Sequence, residues 1–188
     1  IFCAQGVDVS ISGGIIDDCG GVSLPDIQGG ISSTSSTNVT ADGVTIRNSK
    51  ANNQVIRYVN HVKNCHISQT APSYQQLSGI TTATDNVLNG GIRTAASVPV
   101  VISGNRIDNG GADLLTTVIA TALTNTNNNS VITGNVVILS GQTDNCIRVV
   151  TGTTGCLVTS NVVVNSGGNG IFDQSTNSLV DNNQQVAG

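Results

Sequence analysis

The chain has 188 residues, 38% of them apolar but only 2% aromatic and 10% charged, with a formal net charge of −4. So few basic residues exclude the broad cationic face of a nucleic-acid binder, and no apolar run reaches the ~18 residues of a membrane-spanning helix. All eleven acids are Asp, and Met and Trp are absent; Val, Ile, Asn, Gly, Ser and Thr dominate instead, a composition that disfavours helix and favours strands joined by turns.

Three segments share one rule. Val101-Ile102-Ser103-Gly104-Asn105-Arg106-Ile107, Val131-Ile132-Thr133-Gly134-Asn135-Val136-Val137 and Leu157-Val158-Thr159-Ser160-Asn161-Val162-Val163 each read aliphatic, two small or polar residues, Asn, any residue, aliphatic. This describes two short strands meeting at a bend. The aliphatic residues point inward, and Asn or Gly accepts the left-handed backbone that a sharp bend needs. One copy cannot bury its apolar face, but stacked copies can. Stacked Asn side chains can also form a hydrogen-bonded ladder. The expected core includes Ile102, Ile107, Ile132, Val137, Val158 and Val163. An antiparallel sandwich is the competing architecture, but it would alternate apolar and polar residues more strictly and carry more aromatics.

In chain order, Ile11…Gly14…Ile16 is the first weaker copy. The adjacent acids Asp17-Asp18 follow it. Neighbouring strand residues point to opposite faces, so this pair reads as a turn before Cys19 rather than an acid/base pair. Ile27…Gly30…Ser32 is a further copy, and Ser/Thr-rich residues 32–40 read as an outward loop. Ile46…Ser49…Ala51 comes next, then Val55-Ile56-Arg57. Val62…Cys65…Ile67 sets two residues inward, which turns His61 and His66 outward. Residues 68–79, with Pro72 and Tyr74, read as a second loop. Gly79-Ile80-Thr81 has the same form as Val55-Ile56-Arg57, and Ala83…Asn86…Leu88 then precedes Gly91-Ile92-Arg93. Asp108 falls in the better-ordered half, Asp113 and Asp144 read as turn residues entering a strand, and the Asn-rich residues 125–130 read as an outward loop. Cys146-Ile147-Arg148 and Gly170-Ile171-Phe172 follow, with Asp173 beside the latter. The last copy, Val180…Asn183…Gln185, ends on a polar residue and looks like a cap.

The spacing predicts one domain over 1–188. Its start at Ile1, with neither an initiator Met nor a signal-like segment, suggests part of a longer chain. Five scattered Cys (Cys3, Cys19, Cys65, Cys146 and Cys156) lack zinc-site spacing and read as buried thiols. Whether Cys146 pairs with Cys156 is left open by the sequence. No metal or cofactor is expected.

The aliphatic-x-x-Asn-x-aliphatic repeat resembles the coil repeat of the pectate-lyase-like parallel β-helix superfamily, which includes polysaccharide lyases, polygalacturonases and bacteriophage tailspikes. The resemblance spans nearly the whole chain. It implies an all-β, right-handed parallel β-helix of roughly seven to eight coils. It says less about activity, because one fold hosts many functions. The Gly-His-Gly and Arg-x-Lys motifs of polygalacturonase-like members are absent, as is an acidic cluster of the kind that holds calcium in the lyases.

Arg57, Arg93 and Arg148 stand out. Each follows an inward-pointing Ile, which predicts an outward stripe that binds an anionic ligand or contacts another subunit. The expected function is that of a tailspike or tail-fibre β-helix attaching a virion to host cell-surface polysaccharide. Its expected setting is a homotrimer among other virion proteins. The alternative is a secreted polysaccharide-degrading enzyme, a lyase or glycosidase, with Asp144 and Asp173 as weak catalytic candidates. A Thr-based ice or mineral binder ranks last, because Thr81-Thr82, Thr116-Thr117 and Thr153-Thr154 do not recur at one coil position.

Overall fold

A short β-branched strand with one inward aliphatic residue gains little alone, so it must pair on both edges. In a computed structural model of the chain, every strand pairing is parallel and links strands from successive repeats. The structure describes residues 1–3, 8–17, 30–33, 38–47, 55–69, 76–94, 98–108, 119–123, 128–139, 146–149, 151–165 and 170–187. Among these the regular structure is strand, with no helix. The strands form three eight-stranded sheets, each taking every third strand of the chain. The first sheet runs from Phe2–Cys3 to Ile171–Asp173, the second from Asp8–Ser12 to Leu179–Asp181, the third from Ile15–Asp17 to Gln184–Ala187. This is a parallel β-solenoid, and the wholly parallel pairing excludes the antiparallel sandwich for the described residues.

The repeat motif lies where the second sheet turns into the third. Two residues separate these strands in every repeat, for example Gly104-Asn105 and Gly134-Asn135. They have different tasks. The first carries the positive φ: Gly13, Gly43, Asn64, Asp85, Gly104, Gly134, Ser160 and Asn182 all lie between 53° and 66°. The second points inward. The expectation that the motif Asn itself takes the left-handed backbone is therefore corrected, because the residue before it makes the turn. This frees the Asn side chain for the interior, where Asn86, Asn105, Asn135 and Asn161 are at most 1% exposed.

There the carboxamides form the expected ladder. Asn105 N–H and Nδ2 both donate to Asn135 Oδ1, at 3.0 and 2.9 Å. Asn135 repeats this with Asn161, and Asn161 with Asn183. Each Nδ2 also reaches back to a carbonyl of the preceding repeat, as Asn135 does to Ile102 O. Cys65 takes the same position one repeat before Asn86. Its N–H donates to Asn86 Oδ1, and its thiol faces Ala41 O at 3.7 Å.

The aliphatic residues flanking the bend stack in register, as in Ile102–Ile132–Val158 and Ile107–Val137–Val163. All six are essentially inaccessible to solvent, as expected. Four weaker copies, those centred on Gly14, Cys65, Asn86 and Asn183, fall on this bend. Two do not. Ile46 is the inward residue after a bend whose earlier members are Ala41 and Val44, so Ile46…Ser49…Ala51 is out of phase. Apolar Val44 hides that bend from a rule built on Asn and Gly. Gly30 precedes the first-sheet strand Ile31–Ser33, and Ile27 lies outside the described residues. The supposed 32–40 loop is also narrower, since Ile31–Ser33 and Asn38–Asp42 are strands and Ser33 is buried. Likewise His66–Ser68 and Leu77–Ile80 take both ends of the 68–79 segment, while Pro72 and Tyr74 lie outside the described residues.

Candidate ligand-binding face

A residue that follows an inward Ile on a strand occupies the opposite face. Parallel in-register pairing then lines up such residues from repeat to repeat. In the first sheet, Ser32 pairs with Arg57, Arg57 with Ser78, and Ser78 with Arg93. Ile92 pairs with Ile119 and Ile119 with Ile147. That puts Arg148, after Ile147, in the same row, and Arg148 pairs with Phe172. Phe2 pairs with Ser32 at the other end. The structure thus brings Arg57, Arg93 and Arg148 to one register row. The side chain of Arg93 lies outside what is described, so its placement here is that of its backbone.

One assignment changes. Leu77, not Ile80, pairs with Ile56 and Ile92. Ser78 therefore holds the row position, and Gly79-Ile80-Thr81 is one step out of phase. The shift between Ser78 and Ile80 coincides with Gly79 at φ 67°.

Two of the four aromatic residues sit on these arginines. The Arg57 guanidinium carbon lies 4.6 Å from the Tyr58 ring centre, and its Nη2 donates to Tyr58 Oη at 3.1 Å. Tyr58 takes φ 55° and stays half exposed. Its ring covers Gly79, where an added Cβ would overlap it. A bulky residue in the left-handed region costs roughly 1–2 kcal/mol, and the arginine stack and the glycine floor help to offset that. Arg148 lies 6.0 Å from the Phe172 ring centre and donates from Nη2 to Gln174 Oε1 at 3.2 Å. Its Nε is covered and has no hydrogen-bond partner among the described residues. Each pair presents a fixed planar cation beside an aromatic ring, which suits anionic oxygens and the C–H face of a sugar.

The other two sheets also carry ion pairs. Arg47 meets Asp17 at 2.9 Å, Arg106 meets Asp108 at 3.1 Å, and Lys63 meets Asp42 at 3.2 Å. Asp42 also accepts from Asn64 Nδ2, and that bond, with Lys63, holds its carboxyl below the ordinary Asp range. No sequence signal pointed to this corner, because its members come from two repeats. His66 is exposed and His61 half buried, both in outward rows.

Asp173 is exposed, and its Oδ1 accepts from the backbone N–H and hydroxyl of Ser175. It closes a local turn. Asp18, Asp113, Asp144 and Cys19 lie outside the described residues. Among the described residues no three of His, Cys and Asp cluster as a metal site would require, and no helix is long and apolar enough to cross a membrane. Cys3, Cys65, Cys146 and Cys156 are free thiols, so Cys146 and Cys156 do not pair. Burial pushes the Cys146 thiol up to about 12 and raises that of Cys65.

The chain was compared with protein-family models, curated proteins and solved structures. None matches.

Proposed function

We propose that this chain is the receptor-binding β-helix of a bacteriophage tailspike or tail fibre, attaching to host cell-surface polysaccharide. The solenoid is right-handed, as almost all parallel crossovers are, with eight coils, one for each strand of a sheet. The observation that carries the reading is the alignment of Arg57, Arg93 and Arg148 in one row of the first sheet, with Tyr58 and Phe172 against two of them. Guanidinium groups held on a rigid sheet lose little freedom when they meet a repeating anionic chain.

Binding is favoured over cleavage. Asp17, Asp42 and Asp108 are engaged by neighbouring cations, and Asp173 by its own turn. Acid/base glycoside cleavage needs two carboxyl groups facing one bond. Self-association into a trimer is supported by the outward row Val101–Val131–Leu157–Leu179 on the second sheet, whose end members are 40% and 58% exposed. Contiguous apolar surface of this kind marks contact sites.

The test is binding of the purified chain to an array of bacterial surface polysaccharides, with sedimentation run in parallel. The wild type should hold an acidic polysaccharide, and the Arg93→Ala/Arg148→Ala double variant should lose about a hundredfold in affinity at unchanged melting temperature. Unaltered binding by the double variant would sink the proposal.

A further inference from the structure

The row has a period. Arg57, Arg93 and Arg148 stand on alternate strands of the first sheet, with Ser78 on the strand between the first two and the uncharged strand Ile119–Leu123, whose register shifts after Ile119, between the last two. Neighbouring strands lie about 4.8 Å apart, so successive arginine positions are about 10 Å apart along the solenoid axis. The intervening positions carry no charge, and Ser78 is only 5% exposed. The row is bounded by aromatic residues, with Tyr58 beside its first arginine and Phe172 one strand beyond its last.

We infer that the ligand is an extended polysaccharide with an anionic group on every second sugar, lying along the solenoid axis with one disaccharide per arginine interval. This rests on the polysaccharide-binding reading above. In an extended chain with equatorial linkages one sugar spans nearly one strand spacing, and a disaccharide spans two. A charge on every sugar would set alternate charges over Ser78 and over the strand Ile119–Leu123, neither of which carries a cation. A charge on every second sugar puts each one at an arginine. Uncharged sugars then lie over the small residues, and the rings at the two ends take sugar C–H faces.

The spacing makes the three arginines unequal, which gives a test. The probes are hyaluronan oligosaccharides, with one carboxylate per disaccharide, oligogalacturonates, with one per sugar, and neutral dextran. A hyaluronan tetrasaccharide has two carboxylates one period apart, so it can bridge Arg57 and Arg93 or Arg93 and Arg148. Arg57→Ala and Arg148→Ala each leave one such pair and should weaken tetrasaccharide binding only about twofold. Arg93→Ala leaves none and should weaken it about tenfold or more, with Arg93→Lys restoring part of the loss. For the wild type, affinity should rise about tenfold from tetrasaccharide to hexasaccharide, then level off. Melting curves of each variant check the fold, and the wild-type length series needs no variant. Equal losses from all three alanine variants, or tighter binding of trigalacturonate than of the hyaluronan hexasaccharide, would overturn the spacing while leaving polysaccharide binding intact. If the wild type binds no acidic glycan, the binding reading itself fails, and the inference with it.

Discussion

Asn135 sits in the middle of the interior ladder, and its removal isolates what the ladder contributes. Its side chain makes five hydrogen bonds. Oδ1 accepts from Asn105 N–H and Nδ2. Nδ2 donates to Ile102 O, Thr133 O and Asn161 Oδ1. In Asn135→Ala the Asn105 N–H loses its acceptor in a site closed to water, and Ile102 O loses a donor. A buried polar group left without a partner costs about 1–3 kcal/mol, and a small cavity adds to this. The sum is about 3–5 kcal/mol against a typical domain stability of ~5–15 kcal/mol. For a chain of this size that is a fall in melting temperature of roughly 10–15 °C. Asn183 tests the same bonds where water can replace them. It is only partly buried, though it too accepts from Asn161 and donates to Val158 O. Asn183→Ala should therefore cost only about 1 kcal/mol. Asn135→Leu, which fills the volume, should stay close to Asn135→Ala, because the orphaned groups and not the cavity set the loss. Thermal unfolding followed by circular dichroism measures all three. If Asn135→Ala melts within about 2 °C of wild type, or no lower than Asn183→Ala, the ladder is not holding the stack.

Ile132 is wholly buried between Ile102 and Val158. Ile132→Asp puts an unpaired carboxylate into an aliphatic core at a cost of several kcal/mol, so the variant should be insoluble or lack a cooperative melt. Ser160 holds φ 58° at a position where four of the eight repeats use Gly; Ser160→Gly should raise stability by about 0.5–1 kcal/mol in urea titration. Burial raises the folded Cys146 thiol from 9.0 to about 12. Its contribution to stability is therefore complete below pH 9 and is lost as pH rises towards 12, by up to about 1.4 kcal/mol per pH unit. Urea midpoints at pH 8 and pH 10.5 should fall further for wild type than for Cys146→Ala, and equal falls would count against a buried neutral thiol at that site.

The second-to-third-sheet corner was legible because one interior position repeatedly selects one side chain. Asn105, Asn135 and Asn161 stack, and only Asn fits a ladder that must both accept from one neighbour and donate to the next. The same rule misread the region around Ile46, where Val44 fills that position without a polar group and breaks the pattern. The arginine row was legible for a different reason. Ile56-Arg57, Ile92-Arg93 and Ile147-Arg148 each place an arginine one step after an inward Ile, and parallel pairing puts the three in one register row. Gly79-Ile80-Thr81 imitates that pattern but falls out of phase. Register depends on pairing with neighbouring strands, which a local pattern does not contain. The aromatic partners were half legible. Tyr58 adjoins Arg57 in sequence, but its packing over Gly79 depends on the left-handed turn. The Asp42–Lys63–Asn64 corner was not legible at all, since its members come from adjacent repeats.

Where length varies also bears on where a ligand would sit. The second-to-third-sheet connection is always two residues, whereas the third-to-first connection ranges from three residues, Asn89 to Gly91, to thirteen, residues 18–30. A one-residue change at the first corner would flip side chains between core and surface and take an Asn out of the ladder. The other connection changes in length from repeat to repeat while the strands on either side of it keep their pairing. The first sheet follows this permissive corner. Its inward residues, Ile31, Ile56, Leu77, Ile92 and Ile147, still stack at full burial, so its outer row keeps the strand spacing however long the preceding connection is. Charge spacing and connection length are thereby separated. The spacing of charge is set by the rigid sheet, and the connection beside it varies in length without altering that spacing.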